Sequence, residues 1–294
     1  MDFIKNRKIF YCISGTIVII SLLSLLIWGF NLGIDFTGGT LWEISTAGDI
    51  SQSIEVIKNY LEEKGWNQIN IQTTSENSLI LRFQNISEEE HVQLLEGLKK
   101  LIPSIEERRF ESIGPSIGEE LKTKSIWATV LVFLGILIYL WYAFRDSSFK
   151  IPSYRYGVLA VLVLMHDAIF IMGLFSILGK LWGWEVNSDF LVALLVVVGY
   201  SVHDTIVVFD RIRENLKLKI KETLENIIDS SIKQTLFRSL NTSLTTIFPL
   251  IALYFIGPLS TRPLVIAIIG GIVVGTYSSI CLAAPLLYEW SKKP

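Results

Sequence analysis

Apolar positions gather into six long blocks, and the spacing of the polar stretches between them predicts the architecture. The blocks are Ile9–Trp28, Ser125–Ala143, Gly157–Leu178, Phe190–Phe209, Leu236–Ile256 and Leu264–Tyr288. Each is close to the roughly 20 residues that a helix needs to cross a bilayer core. One long polar region separates the first two blocks, and its pattern switches between a period of two and a period of 3.6. Thr40–Thr46 alternates as a strand. Ser51–Lys64 places Ile54, Ile57 and Leu61 on one helical face, with Gly65 positioned to end the helix. Gln68–Thr74 and Ser78–Gln84 alternate around a Ser75–Asn77 turn and predict a hairpin. Ser87 and Glu90 have capping-box spacing ahead of a helix carrying Leu94, Leu95, Leu98 and Leu101, and Ile105–Ser112 supplies a last strand.

The order β-α-β-β-α-β is that of a small α+β ferredoxin-like domain. The expected fold class is therefore a multi-pass α-helical membrane protein, six transmembrane helices with that domain inserted between helices 1 and 2. Residues 1–29 hold the N-terminus and first helix, and residues 30–124 the inserted domain with its linker. Residues 125–294 hold the other five helices, with a polar loop over residues 210–235. The linker Glu111–Leu121, with its glycines and Pro115, predicts a shaped, hinge-like connection.

Composition agrees: 51% hydrophobic residues, 18% charged and a mean hydropathy of +0.48 exceed what one water-soluble core could hide. A formal net charge of −2, without a basic-aromatic patch, argues against a nucleic-acid partner. Cys12 and Cys281 lie in separate apolar blocks and are expected to be buried packing residues; no disulfide framework, metal spacing or cofactor motif is present in the sequence. Basic residues sort the loops. Lys5, Arg7 and Lys8, then Arg145, Lys150 and Arg155, the connection from Arg211 to Lys233, and Lys292–Lys293 fall on one side, against only Lys180 and Arg262 in the short loops on the other. The positive-inside rule puts both termini in the cytoplasm and the inserted domain outside it. The first block is too long for a signal peptide and reads as a retained anchor.

Chemistry concentrates where lipid would otherwise be expected. The third block carries His166 and Asp167, and the fourth carries His203 and Asp204. Inserting a charge there costs about 2.5–3.5 kcal/mol even on lenient scales, so such residues face protein or a water-filled path. Helical spacing puts Tyr200, Ser201, Asp204 and Val208 on one side, with His203 about 100° away. Asp167 can serve a proton path or simply bond a neighbouring helix. In the fifth block Arg238, Asn241, Thr242 and Thr245 make a polar stripe at the level of Asp204, more than a snorkelling Arg would need. Asp210, Arg211, Arg213 and Glu214 read as a paired interface cluster, and Gly271, Gly275, Ser279 and Ala283 as a close-packing face. His91 is expected on a solvated helix face, and Asn85-Ile86-Ser87 is better explained by capping than by glycosylation. Enzyme readings fail: the sixth block has no His; His203, two residues from Ser201, points to a different side; and the sequence contexts of intramembrane aspartyl proteases are missing around Asp167 and Asp204.

Five motifs then carry a resemblance over essentially the whole chain: GIDFTGG at residues 33–39, ESIGPSIGEEL before the second block, the third-block His-Asp pair, GYSVHDTIVVFDRIREN and TLFRSLNTSLTT. Together they resemble the SecF side of the SecD/SecF family of protein-export membrane proteins, within the RND superfamily. The resemblance implies an accessory, non-enzymatic subunit of the Sec translocase in the bacterial inner membrane. With SecD, it would use the proton-motive force to promote preprotein translocation. Implied partners are SecD, the SecYEG channel, the SecA motor, a YajC-like accessory subunit, the preprotein and membrane lipid. Asp204 and Arg238 fall on the family's proton-coupling positions, with His203, Asp167, His166 and Thr242 as possible secondary relay residues. His203 stands where the family often has Asn. A carboxyl group holds its proton when buried alone and releases it beside a guanidinium, so motion of Arg238 would switch Asp204. An RND-type proton-driven exporter of lipid or small molecules is the alternative.

Overall fold

The computed structural model describes residues 2–47, 50–66, 69–73, 78–145, 151–219 and 221–292. The Ser75–Asn77 turn, Lys150 and Lys293 lie outside the described residues. The chain divides into two compact units, Leu32–Ile126 and, together, Met1–Asn31 with Trp127–Pro294.

In the smaller unit a short helix, α2 (Ile34–Thr37), follows the first membrane helix, α1 (Arg7–Trp28). Then come β1 (Gly39–Ser45), α3 (Ile50–Glu63), β2 (Asn70–Thr73), β3 (Ser78–Phe83), α4 (Glu88–Leu101) and β4 (Glu106–Ile113). The sheet order is β2-β3-β1-β4, antiparallel throughout, with Trp42 of β1 opposite Leu81 and Phe110. Alternation decides the core: Trp42 and Ile44 of β1 and Leu79 and Leu81 of β3 pack with Ile57 and Leu61 of α3 and Leu94 and Leu98 of α4. Gly65 ends α3 at φ 96°, a left-handed conformation that costs glycine little. The capping box of α4 is complete, Ser87 accepting from the Glu90 N–H while Glu90 accepts from Ser87.

Two of these expectations change. The glycine-bearing linker is not a loop: β4 runs to Ile113, α5 starts at Pro115, and only Gly114 stands between them. Proline suits that place because its missing N–H would be unpaired in a first turn anyway. His91, expected in solvent, is only 6% exposed. Its ring stacks on Phe110 and lies 2.6 Å from Glu107, which also accepts from the Trp42 indole at 2.7 Å. The aromatic ring and carboxylate brought over by β1 and β4 satisfy an imidazole that the α4 sequence alone would leave to water.

The larger unit holds α1, most of α5 (Pro115–Ala143), α6 (Ser153–Trp182), α7 (Ser188–Leu218) and α8 (Leu224–Ile256). A last rod follows, made of α9 (Arg262–Ser278), a π-helical turn at Ser279–Ala283 and α10 (Ala284–Lys292). Among the described residues six helices are long and apolar enough to cross a membrane, so this is a multi-pass membrane protein. The last rod packs against α6, α7 and α8. Its glycines explain how closely: a Cβ at Gly271 would fall 2.3 Å from Val197, and one at Gly275 2.9 Å from Ser201. Cys12, expected in the core, is exposed on α1, and Cys281 is partly buried in the π turn.

Candidate functional site

The polar residues of α6, α7 and α9 converge because each helix offers a small or hydroxyl-bearing face to the others. On α7, Ser201, Asp204 and Thr205 occupy the buried arc, and Asp204 is 2% exposed. Its carboxylate accepts from Thr276 of α9 at 3.2 Å, and Ser239 of α8 faces the same group. Thr276 shares a 2.5 Å hydrogen bond with Ser243 of α8, and the Tyr200 hydroxyl donates to Ser243 at 3.5 Å. Thr205 and Ser279 meet at 2.8 Å, and Ser279 also donates to the Ser201 carbonyl. A carboxylate thus sits inside an apolar bundle with hydroxyls as its bonded neighbours. Among the described residues it has no salt-bridge partner.

A second carboxylate lies alongside. Asp167 of α6 is fully buried, its Oδ1 2.9 Å from His166 Nδ1. Its Oδ2 accepts from Ser201 at 2.5 Å and from Ser278 of α9 at 2.8 Å. Of the two readings left open by the sequence, bonding of neighbouring helices is therefore met, and on two helices at once.

The remaining sequence-derived residues do not join the cluster. Arg238 is exposed and its guanidinium makes no hydrogen bond or salt bridge among the described residues; it lies next to Ser239 but projects from a different side of α8. Asn241 and Thr245 share its exposure, while Thr242 turns its hydroxyl back onto the Arg238 carbonyl at 2.9 Å. His203 is exposed on α7, as the helical spacing from Asp204 requires. The interface cluster is paired: Arg213 donates to Asp210 at 2.6 Å, and Arg211 to Glu214 at 2.5 Å. Sequence reasoning passed over Ser239, Ser243, Thr276 and Ser278. Their signal was available as hydroxyls at helical spacing within apolar blocks, but such residues also serve helix packing with no chemistry attached.

Comparison with known proteins matches this frame. The family model described as "Protein export membrane protein SecD/SecF, C-terminal" matches residues 93–293, and "SecD/SecF GG Motif" matches residues 24–47. The chain is 42% identical to a protein translocase subunit SecF of Thermobaculum terrenum, covering 100% of this chain and 95% of that one. It is 36% identical to the protein translocase subunit SecDF of Thermus thermophilus, covering 96% of this chain but 38% of that longer protein. A crystal structure of SecDF from Thermus thermophilus, described as a translocon-associated membrane protein, superposes with a TM-score of 0.82 at 33% identity. A SecDF structure in a super-membrane-facing form gives 0.70 at 32%. Both cover 100% of this chain, which spans 39% of those chains.

Proposed function

The chain belongs to the SecD/SecF family of protein-export membrane proteins, and from that premise we propose that Asp204 is the carboxylate through which an ion gradient drives export. The protein is an accessory subunit of a protein translocase, and SecD is its partner, as the fused SecDF relatives indicate. Relatives named for protein translocation favour this reading over an exporter of lipid or small molecules.

One observation carries the proposal: a carboxylate 2% exposed within a membrane helix, with hydroxyl neighbours and a cation on the next helix that does not touch it. A structural Asp would be expected to have its counter-charge in place. Arg238 adjoins Ser239, so a change of side-chain conformation or a small rotation of α8 brings the guanidinium toward Asp204 or takes it away. Proton binding and that movement then exclude one another. One charge moved across about 100 mV supplies about 2.3 kcal/mol, enough to bias a two-state movement.

The exposed His203 on α7 and the exposed Arg238 and Asn241 on α8 support a covered surface there, because uncovered polar groups at bilayer depth are costly. SecD is the occupant we assign to it. The basic loops support a topology with both termini in the cytoplasm and the ferredoxin-like unit on the outer side of the inner membrane. There it would meet the preprotein leaving SecYEG, which SecA drives, with a YajC-like subunit alongside. His203 takes the place of a hydrogen-bonding amide on this face.

The test is preprotein translocation into inverted vesicles containing this chain with its SecD partner, with and without an ion gradient. Asp204→Asn is expected to abolish the gradient-dependent increment at normal assembly. Repeating the assay with a sodium gradient separates H⁺ from Na⁺ coupling. An Asp204→Asn protein that responds to both gradients as the wild type does overturns the proposal.

A further inference from the structure

Asp167 is the buried titratable group that the coupling reading does not use, and its bonds go to both helices that frame Asp204. Ser201, which donates to it, is one helical turn before Asp204 on α7. Ser278, its other donor, is two residues after Thr276 on α9. Two residues are about 200° around a helix. Thr276 therefore reaches α7 and α8 from one side of α9 while Ser278 is held to α6 from the other. His166 takes up the second carboxylate oxygen; its Nε2 is buried without a partner among the described residues. The ring's bond to Asp167 fixes the carboxylate so that Oδ2 faces the two hydroxyls.

We propose that Asp167 is a positioning residue that holds α7 and α9 in the rotation at which Thr276 donates to Asp204, so that release of Ser278 and loss of that donor are one event. The magnitudes fit. At a side-chain radius of about 5–6 Å, a 20° turn of α9 moves a hydroxyl by about 2 Å, which breaks a hydrogen bond. The π turn begins at Ser279, directly after Ser278. A widened turn there is a place where the helix on one side can rotate relative to α10 on the other.

No other titratable side chain competes for Asp167 among the described residues. On α9, Tyr277 donates to the Phe10 carbonyl on α1, and Cys281 lies in the π turn. On α7, Tyr200 is bonded to Ser243 and His203 is exposed, while Arg238 of α8 is exposed as well. α1 brings Tyr11 and Cys12, and Glu289 of α10 is bound to Arg7.

This inference rests on Asp204 being the proton-binding carboxylate, and its test keeps the two apart. Infrared titration of the chain with its SecD partner in membranes follows the protonated-carboxyl band that Asp204→Asn removes. Thr276→Val, which takes away the donor directly, disfavours the ionised form and moves the midpoint to higher pH. Ser278→Ala changes no charge and touches no atom of Asp204. It is expected to move the midpoint the same way by about half a unit or more, with Asp167→Asn altering it too. If Ser278→Ala and Asp167→Asn both titrate at the wild-type midpoint while Thr276→Val is shifted, the positioning role is overturned and Asp204 keeps its own. If no band is lost in Asp204→Asn, the reading of Asp204 fails first and this one with it.

Discussion

Asp204 and Arg238 stand on adjacent helices without pairing: the carboxylate is 2% exposed and bonded to Thr276 at 3.2 Å, while the guanidinium is exposed on the lateral face of α8. An Arg whose guanidinium makes no bond among the described residues contributes little to the stability of its chain. Surface substitutions of this kind stay within about 0.5 kcal/mol.

Arg238→Ala is therefore expected to leave the thermal unfolding of the chain unchanged and to remove most of the gradient-dependent translocation. Arg238→Lys keeps the charge but not the planar fork, and should restore part of it. The pair of measurements is unfolding in detergent and translocation in vesicles. A large loss of stability in Arg238→Ala would contradict the exposed placement.

Two glycine motifs far apart in sequence meet in the smaller unit. A Cβ on Gly38, whose φ is 72°, would lie 2.8 Å from Pro115 Cα, and one on Gly118 would lie 2.8 Å from the Gly38 nitrogen. Backbone cannot yield as a side-chain tip does, so Gly118→Ala should cost about 1–3 kcal/mol and Gly38→Ala more, because strain adds to the clash. Gly114 has open space at its Cβ, and Gly114→Ala should unfold with the wild type. Chemical denaturation of the three variants makes the comparison.

His91 and Trp42 converge on one carboxylate oxygen of Glu107, at 2.6 and 2.7 Å. His91→Ala removes a partner from that carboxylate and leaves a void against Phe110, a loss of about 2–4 kcal/mol. Glu88, 3.4 Å from the other ring nitrogen, has a side chain 76% exposed, and Glu88→Gln is expected to stay within about 0.5 kcal/mol. Equal effects from the two substitutions would show that the buried contact carries no special weight.

The capping box gives a pH dependence with a definite sign. Glu90 accepts from the Ser87 N–H at 2.8 Å and from the Ser87 hydroxyl at 2.9 Å, which holds its carboxyl below the ordinary glutamate value. Its stabilisation of the first turn of α4 is thus fully present above the unfolded value of about 4.3. It is lost as pH falls through the lowered folded value. Amide exchange in α4 should be faster in Glu90→Gln than in the wild type near neutral pH and converge with it in acid. A difference that persisted in acid would exclude the carboxylate as its source.

Much of this was legible in the chain before any coordinates. The six apolar blocks, the βαββαβ order, Gly65 and Ser87 as helix punctuation, and the burial of Asp204 against the exposure of His203 all follow from local periodicity. Residues within one element share its geometry, so their faces can be read by spacing alone. Tertiary structure decided what lies across from each face. It moved His91 out of solvent because β1 and β4 bring Trp42, Phe110 and Glu107 over it. It made the Glu111–Leu121 linker a strand end and a helix start because Gly38 packs on that turn. It gave Asp204 a threonine donor and left Arg238 exposed on the neighbouring helix, and it tied Asp167 to serines on two helices. A hydroxyl in an apolar block has the same sequence signature whether it packs or binds. Only the rotation of one helix against another, set by how closely Gly271 and Gly275 let α9 approach α7, determines which carboxylate it meets.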